Sequence, residues 1–581
     1  MGFQLSPGVA VQERDLSSVI PAVATTPAGF CGIFRWGPVE QRIVVSSEND
    51  LYQLFGKPDV NTATSFFSVA NFLQYGNNVT VVRGVSGALN SFAGSTGFTA
   101  GALLKNDEDV SANVINETYN SNSNAYFAAR YPGLYGNSLR IEICDGITGF
   151  NSWSLSGSFG SAPSQSSYQT NSSPNNGNDE IHIAIIDEDG VFSGATGTIL
   201  EIYQGLSKAT DARKSDGTPN YFRSVLDQSS KYVWCLNNLS GISTKVSTDT
   251  GGFGLINASA SPVGAGGTTG LYISSFSGGT AGANPSNATI GNLYNTYFGD
   301  PEQTDVSLLI CGPLTGSDAA IVTEVAKARK DCVAFASAEN NNPSASDTTK
   351  YNNCIALKNA VGSNSYAFLD TGWKYMYDKY NNVYRWIPLN SDIAGLAART
   401  DETNDPWWSF AGFNRGQIRN VVKLAWSPNQ TYRDLLYPKS INPVVTIPGE
   451  GTVLYGDRTA QTKPSAFDRI NVRRLFIVLE KAIAIAAKYQ LFEFNDAFTR
   501  SMFVSMVEPF LRDVQARRGV YDFKVICDET NNTPQIIDTN QFVADIYIQP
   551  ARSINFIKLN FIATRTGVNF EEIASLTLPG A

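Results

Sequence analysis

Hydrophobic residues along this chain change their spacing several times, and each change marks an element. The pattern is densest toward the C-terminal end. Between 467 and 491, Val472, Leu475 with Phe476, Leu479, Ile483 and Ala486 with Ala487 recur at three- and four-residue intervals, predicting an amphipathic helix that Ser465 caps. A second helix is predicted from Asn495 to Arg517 on Phe498, Met502 and Met506, kinked at Pro509 and stopped by Gly519. Alternation then replaces helical spacing. Tyr521, Phe523, Val525 and Cys527 fall on one side of a strand, and 543–548 and 554–564 supply two more. Tyr547, Ile548, Phe556, Ile557 and Leu559 are expected to form the edge and core of that sheet.

At the other end, Pro7 and Pro21 disfavour helix, while Val9, Val11 and Glu13 alternate with Ala10, Gln12 and Arg14. Residues 1–22 therefore read as an extended arm. Strands are predicted at 29–38, 42–47 and 78–85, around helices at 47–56, with Ser47 as cap and Gly56 as stop, and at 64–76. From 306 to 338 a strand, a helix capped by Ser317 and a second apolar strand make a βαβ unit, which implies a parallel pair. Because 23–86 and 301–460 share this character, they are expected to form one discontinuous α/β domain. Residues 87–300 are then a β-rich insertion, 461–564 a separate domain of two helices and a sheet, and 565–581 a second arm. The fold class is α+β and α/β, multidomain. The Ser- and Asn-rich stretch 149–179 has no core-forming pattern and reads as an exposed loop.

Composition narrows the function classes. The chain has 581 residues, so several cores are expected. Charged residues make up 16% and the net charge is −9, with no Lys/Arg block long enough to track a phosphate backbone, which disfavours nucleic-acid binding. The densest basic clusters are Arg469/Arg473/Arg474 and Arg512/Arg517/Arg518, either solvated or ion-paired helix faces or contacts for a partner. Seven scattered cysteines, none in CxxC spacing, read as buried thiols from a reducing cytoplasm. The opening residues lack the basic stretch and apolar core of a secretory signal, and no apolar run is long enough to span a membrane.

Reaction chemistry is not legible. The one histidine, His182, sits in the strand pattern EIHIAII and reads as a hydrogen-bonded or solvent-facing side chain. The only Gly-Lys pair, Gly56-Lys57, precedes Pro58, so there is no phosphate loop. DEDG at 187–190 reads as a turn rather than a calcium loop, and DETND at 401–405 as a solvated loop. The aromatics of 372–388 and of Pro406-Trp407-Trp408 suit a domain or subunit interface, with a sugar platform as the alternative. No catalytic residue, metal site or cofactor is expected.

A resemblance gives these observations a direction. DIAGLAARTD (392–401), GFNRGQI (412–418), INPV (441–444), YGDRTA (455–460), FDRINVRRLF (467–476), LFEFNDAFTR (491–500), CDETNNTP (527–534) and IYIQPARSINFIKLNF (546–561) resemble, in order, the tail sheath proteins of contractile-tailed bacteriophages. LSPGVAVQE (5–13), FRWGP (34–38), NFLQYG (71–76) and VVRGV (81–85) extend the match to the other end. The resemblance implies a non-enzymatic subunit that polymerises as a helical sleeve around a tail tube, starting from a baseplate and ending at a terminator. It implies assembly in the host cytoplasm into the virion tail, and contraction that drives the tube through the bacterial envelope. It further implies that 461–581 faces the tube. Arm residues Val9, Val11, Glu13, Phe561, Ala563 and Arg565 would join neighbouring copies by adding strands to sheet edges. Arg473, Arg474, Arg512, Arg517 and Arg518 are the candidate tube or neighbour contacts. The alternatives are the sheath of a phage-like injection particle, or a virion-associated protein that binds or degrades carbohydrate.

Overall fold

Two stretches far apart in sequence build one sheet. The computed structural model describes residues 24–94, 102–110, 125–172, 178–236 and 270–555. In the central sheet the strands lie in the order Ala367–Asp370, Val333–Ser337, Leu308–Ile310, Ala28–Gly32, Val79–Arg83 and Ile43–Val45. The first five are parallel, and Ile43–Val45 closes the edge antiparallel. Near-continuous apolar runs such as AGFCG and VAFAS form these strands because both faces are covered. Phe30, Ile310, Val333, Phe335 and Phe368 point to one layer, under the helices Ala63–Phe72 and Asn390–Thr403. Cys31, Leu309, Ala334 and Leu369 point to the other, under Asn287–Phe298, Gly316–Arg329 and Asp347–Val361. The result is a three-layer α/β/α arrangement.

Local signals operate as expected in some places and shift in others. Ser47 Oγ accepts from the Asp50 amide at 3.1 Å, and Gly56, at φ 77°, ends the helix Glu48–Phe55. Ser317 does not cap its helix. The helix begins at Gly316, and Thr315 occupies the capping position without a side-chain bond. Asn287–Phe298 falls inside the expected insertion but packs Ile290, Tyr294 and Phe298 onto the central sheet, so the chain returns to that layer earlier than residue 301.

Between these halves lie a four-stranded antiparallel sheet (Leu271–Ser275, Leu139–Cys144, Glu180–Asp187, Thr198–Ser207) and a three-stranded one (Phe92–Gly94, Ala125–Ala129, Val233–Cys235). Trp36 and Arg83 are among the residues that fasten this region to the central one. Trp36 packs edge-on against Tyr131 and Phe192. Buried Arg83 donates to the carbonyls of Phe34, Gly37 and Arg35 on one side and of Pro132 on the other. Within the stretch 149–179, the described residues up to Ser172 are no loose loop. Trp153 and Phe159 are buried against Cys144, Ala184 and Ile186, so two aromatics among Ser and Asn suffice to seat it.

The C-terminal region has the helices Ile470–Lys488 and Ala497–Ala516 and an antiparallel ribbon of Val520–Ile526 with Asp545–Pro550. Ser465 caps only a 3₁₀ turn, Ala466–Asp468, and the α-helix starts after Arg469. The second helix is capped by Asp496, which accepts from the Thr499 amide at 2.8 Å, and it continues through Pro509. Tyr521 was expected on the inward face but is exposed. A bulge between Val520 and Asp522 reverses the alternation, so Val520 takes the buried place while Phe523 and Val525 pack inward. No described helix is long and apolar enough to cross a membrane.

Candidate assembly interface

The ribbon is the least completed part of the fold. Among the described residues each of its strands pairs only with the other, so neither outer edge is covered by a further strand, although side chains such as Gln515 and Asn531 bond some of the carbonyls there. Three or more strands are the usual requirement for an independent sheet, and here the two helices supply the missing support on one face through Leu479, Phe503, Val507 and Leu511. Ile546 and Ile548 pack toward that cluster, while Tyr547 faces water. An edge open on each side is geometry for adding a strand on each side.

Several expected contact residues stand elsewhere. Val9, Val11, Glu13, Phe556, Ile557, Leu559, Phe561, Ala563 and Arg565 lie outside the described residues. Arg473 and Arg474 are buried, which corrects their place among surface contacts. Arg473 sits 3.8 Å from the Phe467 ring and bonds the Tyr366 hydroxyl at 3.1 Å. Arg474 forms a buried ion pair with Asp401, whose carboxyl desolvation pushes up while the guanidinium opposes that shift. The acidic run 401–405 is therefore no simple solvated loop, since Asp401 belongs to the helix Asn390–Thr403 and fixes the next domain to it. Arg512, Arg517 and Arg518 remain exposed. Arg512 pairs with Glu508 at 3.2 Å, Arg517 with Asp405 at 2.8 Å, and Arg518 lies over Trp408. Trp407 packs between domains, its Nε1 donating to the Arg517 carbonyl at 3.1 Å.

Two apolar surfaces stand out, the first with no counterpart among the sequence expectations and the second within the aromatic stretch 372–388. Tyr489, Leu491, Phe492, Phe494 and Phe498, around the turn joining the two helices, are all strongly exposed. Such a run of apolar side chains is larger than the scattered surface hydrophobics of a soluble domain and is of the kind that interaction sites present. In the hairpin Trp373–Asp378/Val383–Pro388, Tyr375, Tyr377, Tyr384 and Trp386 share one face, with Lys423 over two of the rings.

Polar groups that might suggest chemistry are occupied structurally. His182 is buried, one ring nitrogen against the Ser161 carbonyl at 2.8 Å and the other accepting from the Gly205 amide at 3.1 Å. The Asp187 carboxylate, in the DEDG turn, accepts from Ser138, Val191, Phe192 and Ser193. Among the described residues no group of three or more His, Cys, Asp or Glu could hold a metal.

Residues 25–83 match the Tail sheath protein Gp18 domain III N-terminal region, 290–460 the Phage tail sheath protein central domain, and 462–564 the Phage tail sheath C-terminal domain. The chain is 36% identical to the tail sheath protein of Enterobacteria phage T4, covering 98% of this chain and 99% of that one. It belongs to the phage tail sheath protein family. The tail sheath protein of Vibrio phage KVP40 is 34% identical at the same coverage. Among solved structures, a sheath tail protein from Listeria innocua superposes with a TM-score of 0.52 at 11% identity, covering 93% of this chain and 94% of that one. One from Desulfitobacterium hafniense gives 0.51 at 11% identity, covering 94% and 100%. These last two speak for the fold alone. Within the family match, the central stretch ends between Asp457 and Ser465, where the chain passes to the ribbon-bearing domain.

Proposed function

We propose that this chain is the structural subunit of a contractile tail sheath, polymerising from the baseplate as a helical sleeve around the tail tube and shortening to drive the tube through the host envelope. The observation that carries this reading is the two-edged ribbon in a chain similar from end to end to phage tail sheath proteins. Residues 1–22 and 565–581 act as arms. The first contributes a strand at Gly8–Arg14, centred on Val9, Val11 and Glu13, and the second leads in through Phe561, Ala563 and Arg565. Each arm adds to a ribbon edge of a neighbouring copy. Fully extended, twenty residues reach roughly 65 Å, enough to cross to an adjacent subunit. Each ladder bond contributes only about 0.5–1.5 kcal/mol, so the strength of a sleeve comes from repetition.

The domain at 461–564 faces the tube, the α/β domain of 23–86 and the stretch returning near 287 through 460 forms the body, and the insertion faces outward. Exposed Arg512, Arg517 and Arg518, together with the apolar run 489–498, supply surface for tube or neighbour. A terminator closes the polymer, and assembly takes place in the host cytoplasm before the sleeve becomes part of the virion tail. Contraction draws on two alternative packings of folded domains, with the arms as tethers that persist through it.

Deleting residues 1–16 tests the tether role. The variant should remain a folded, soluble monomer that forms no long tubes by negative-stain microscopy, and normal polymers from it would refute the reading.

A further inference from the structure

The last described residues do not trail away from the ribbon. After Pro550 the Ala551 amide donates to the Gly519 carbonyl at 3.1 Å, and the Ala551 carbonyl accepts from Asn471 Nδ2 at 3.3 Å. The chain then crosses to the neighbouring domain in alternating fashion. Arg552 and Ile554 face water, while half-buried Ser553 and the still exposed Asn555 direct their side chains to one buried carboxylate, Asp457. Ser553 Oγ donates to Asp457 Oδ2 at 2.6 Å, and Asn555 Nδ2 donates to Oδ1 at 2.9 Å and to the Tyr437 hydroxyl at 2.8 Å. Arg469, the residue just before the helix Ile470–Lys488, donates to the same Oδ1 at 2.9 Å, and Tyr437 does so at 3.0 Å.

Asp457 is 3% exposed, and its acceptor sites are divided between two domains. Arg469 alone would neutralise it and Tyr437 would hold it in place. Fastening Ser553 and Asn555 as well serves a different purpose, because neither side chain contributes to a hydrophobic core. A short extended strap bonded at alternate residues has a fixed path and a fixed point of departure.

We propose that Asp457 is the anchor of the C-terminal tether, clasping Ser553 and Asn555 so that the chain from 556 onward leaves toward its neighbour from the domain junction and not from the end of the ribbon. This rests on the tether reading above and adds what sets the tether's direction. A free strap would let the departing segment sweep a wide volume. A clasped one limits which neighbouring edge it reaches and transmits tension to the body of the subunit instead of unzipping the ribbon.

The test uses the full chain with Ser553→Ala and Asn555→Ala together, changes on the strap that leave Asp457 paired with Arg469. Trypsin cleavage after exposed Arg552, followed by mass spectrometry on the monomer, reads the clasp directly. Release should speed it by about tenfold or more, since one charge-assisted hydrogen bond corresponds to at least that factor. The thermal transition should fall only slightly, since the hydrophobic cores are untouched, while the yield of tubes by electron microscopy falls. Deletion of 556–581 serves as the reference. Unchanged cleavage at Arg552 overturns the clasp. Faster cleavage with a normal tube yield, where the deletion abolishes tubes, overturns its role in assembly but leaves the tether standing. Normal tubes from the deletion itself remove the C-terminal tether and this inference with it. Asn555→Asp, which sets a second carboxylate against Asp457, should reproduce the double variant's cleavage, and failure to do so counts against the anchor.

Discussion

Replacing Lys374 by Met should produce a stability defect that shrinks in acid. Lys374 and Asp392 are both fully buried, their Nζ–Oδ1 distance is 2.8 Å, and Lys374 also donates to the Arg419 carbonyl at 3.0 Å. Desolvation pushes the Asp392 carboxyl up and the Lys374 ammonium down, and each charge opposes the other's shift. Without the ammonium, Asp392 must fold protonated, retaining only the Tyr75 hydroxyl, 3.2 Å from Oδ1, as a side-chain partner. For an aspartate whose unfolded pKa is about 3.9, protonation costs about 4 kcal/mol at about pH 7 and about 1.5 kcal/mol at about pH 5, using about 1.4 kcal/mol per unit. The sign follows from linkage. The folded pKa now stands above the unfolded one, so stability is fully present below about pH 4 and declines as pH rises. Urea unfolding of wild type and Lys374→Met at the two pH values should therefore differ in gap by up to about 2.5 kcal/mol, less whatever pH dependence burial already gives Asp392 in wild type. Adding Asp392→Leu should restore most of the loss, because a pair removed together leaves no orphan charge. An equal gap at both pH values, or a double variant as unstable as the single, would refute the reasoning.

Asp370 offers a second pH test. Burial raises its pKa to about 8 despite bonds from Ser337 and the Gly372 amide. Its contribution is present below its unfolded pKa and lost as pH rises toward about 8, so Asp370→Asn should flatten that slope and be the more stable protein by about pH 8 in thermal melts. Arg83→Met leaves the buried carbonyls of Phe34, Gly37 and Pro132 without this donor and should cost at least about 3 kcal/mol, with limited proteolysis showing earlier cleavage in the inserted region. Phe494→Ser with Phe498→Ser, both on exposed positions, should leave monomer melting within about 0.5 kcal/mol of wild type yet lower the yield of tubes.

The elements legible in the sequence were those with a single strong period. AGFCG, VTVVR and VAFAS read as buried strands because no polar residue interrupts them, and the helix at Ile470 showed its face plainly. What stayed hidden depended on partners distant in the chain. Arg473 and Arg474 look like surface cations in INVRRLFIVL, since nothing local reveals Asp401 or Tyr366 opposite them. Tyr521 was misplaced because one bulge reverses every side chain on its far side, and a bulge has no alternation signature of its own. The ribbon's open edges were legible only as an abundance of strands. That Ser553 and Asn555 share one carboxylate with Arg469 required the fold.

The insertion begins and ends in one small neighbourhood. The Gly84 amide bonds the Gly32 carbonyl, Ser86 bridges Ala283, and the chain re-enters the sheet's own helical layer at Asn287–Phe298. Chain leaves and returns through a narrow gate, so its length in between costs the central sheet little. The inserted region can be enlarged, trimmed or given a new recognition surface while the central sheet that carries it is left as it was.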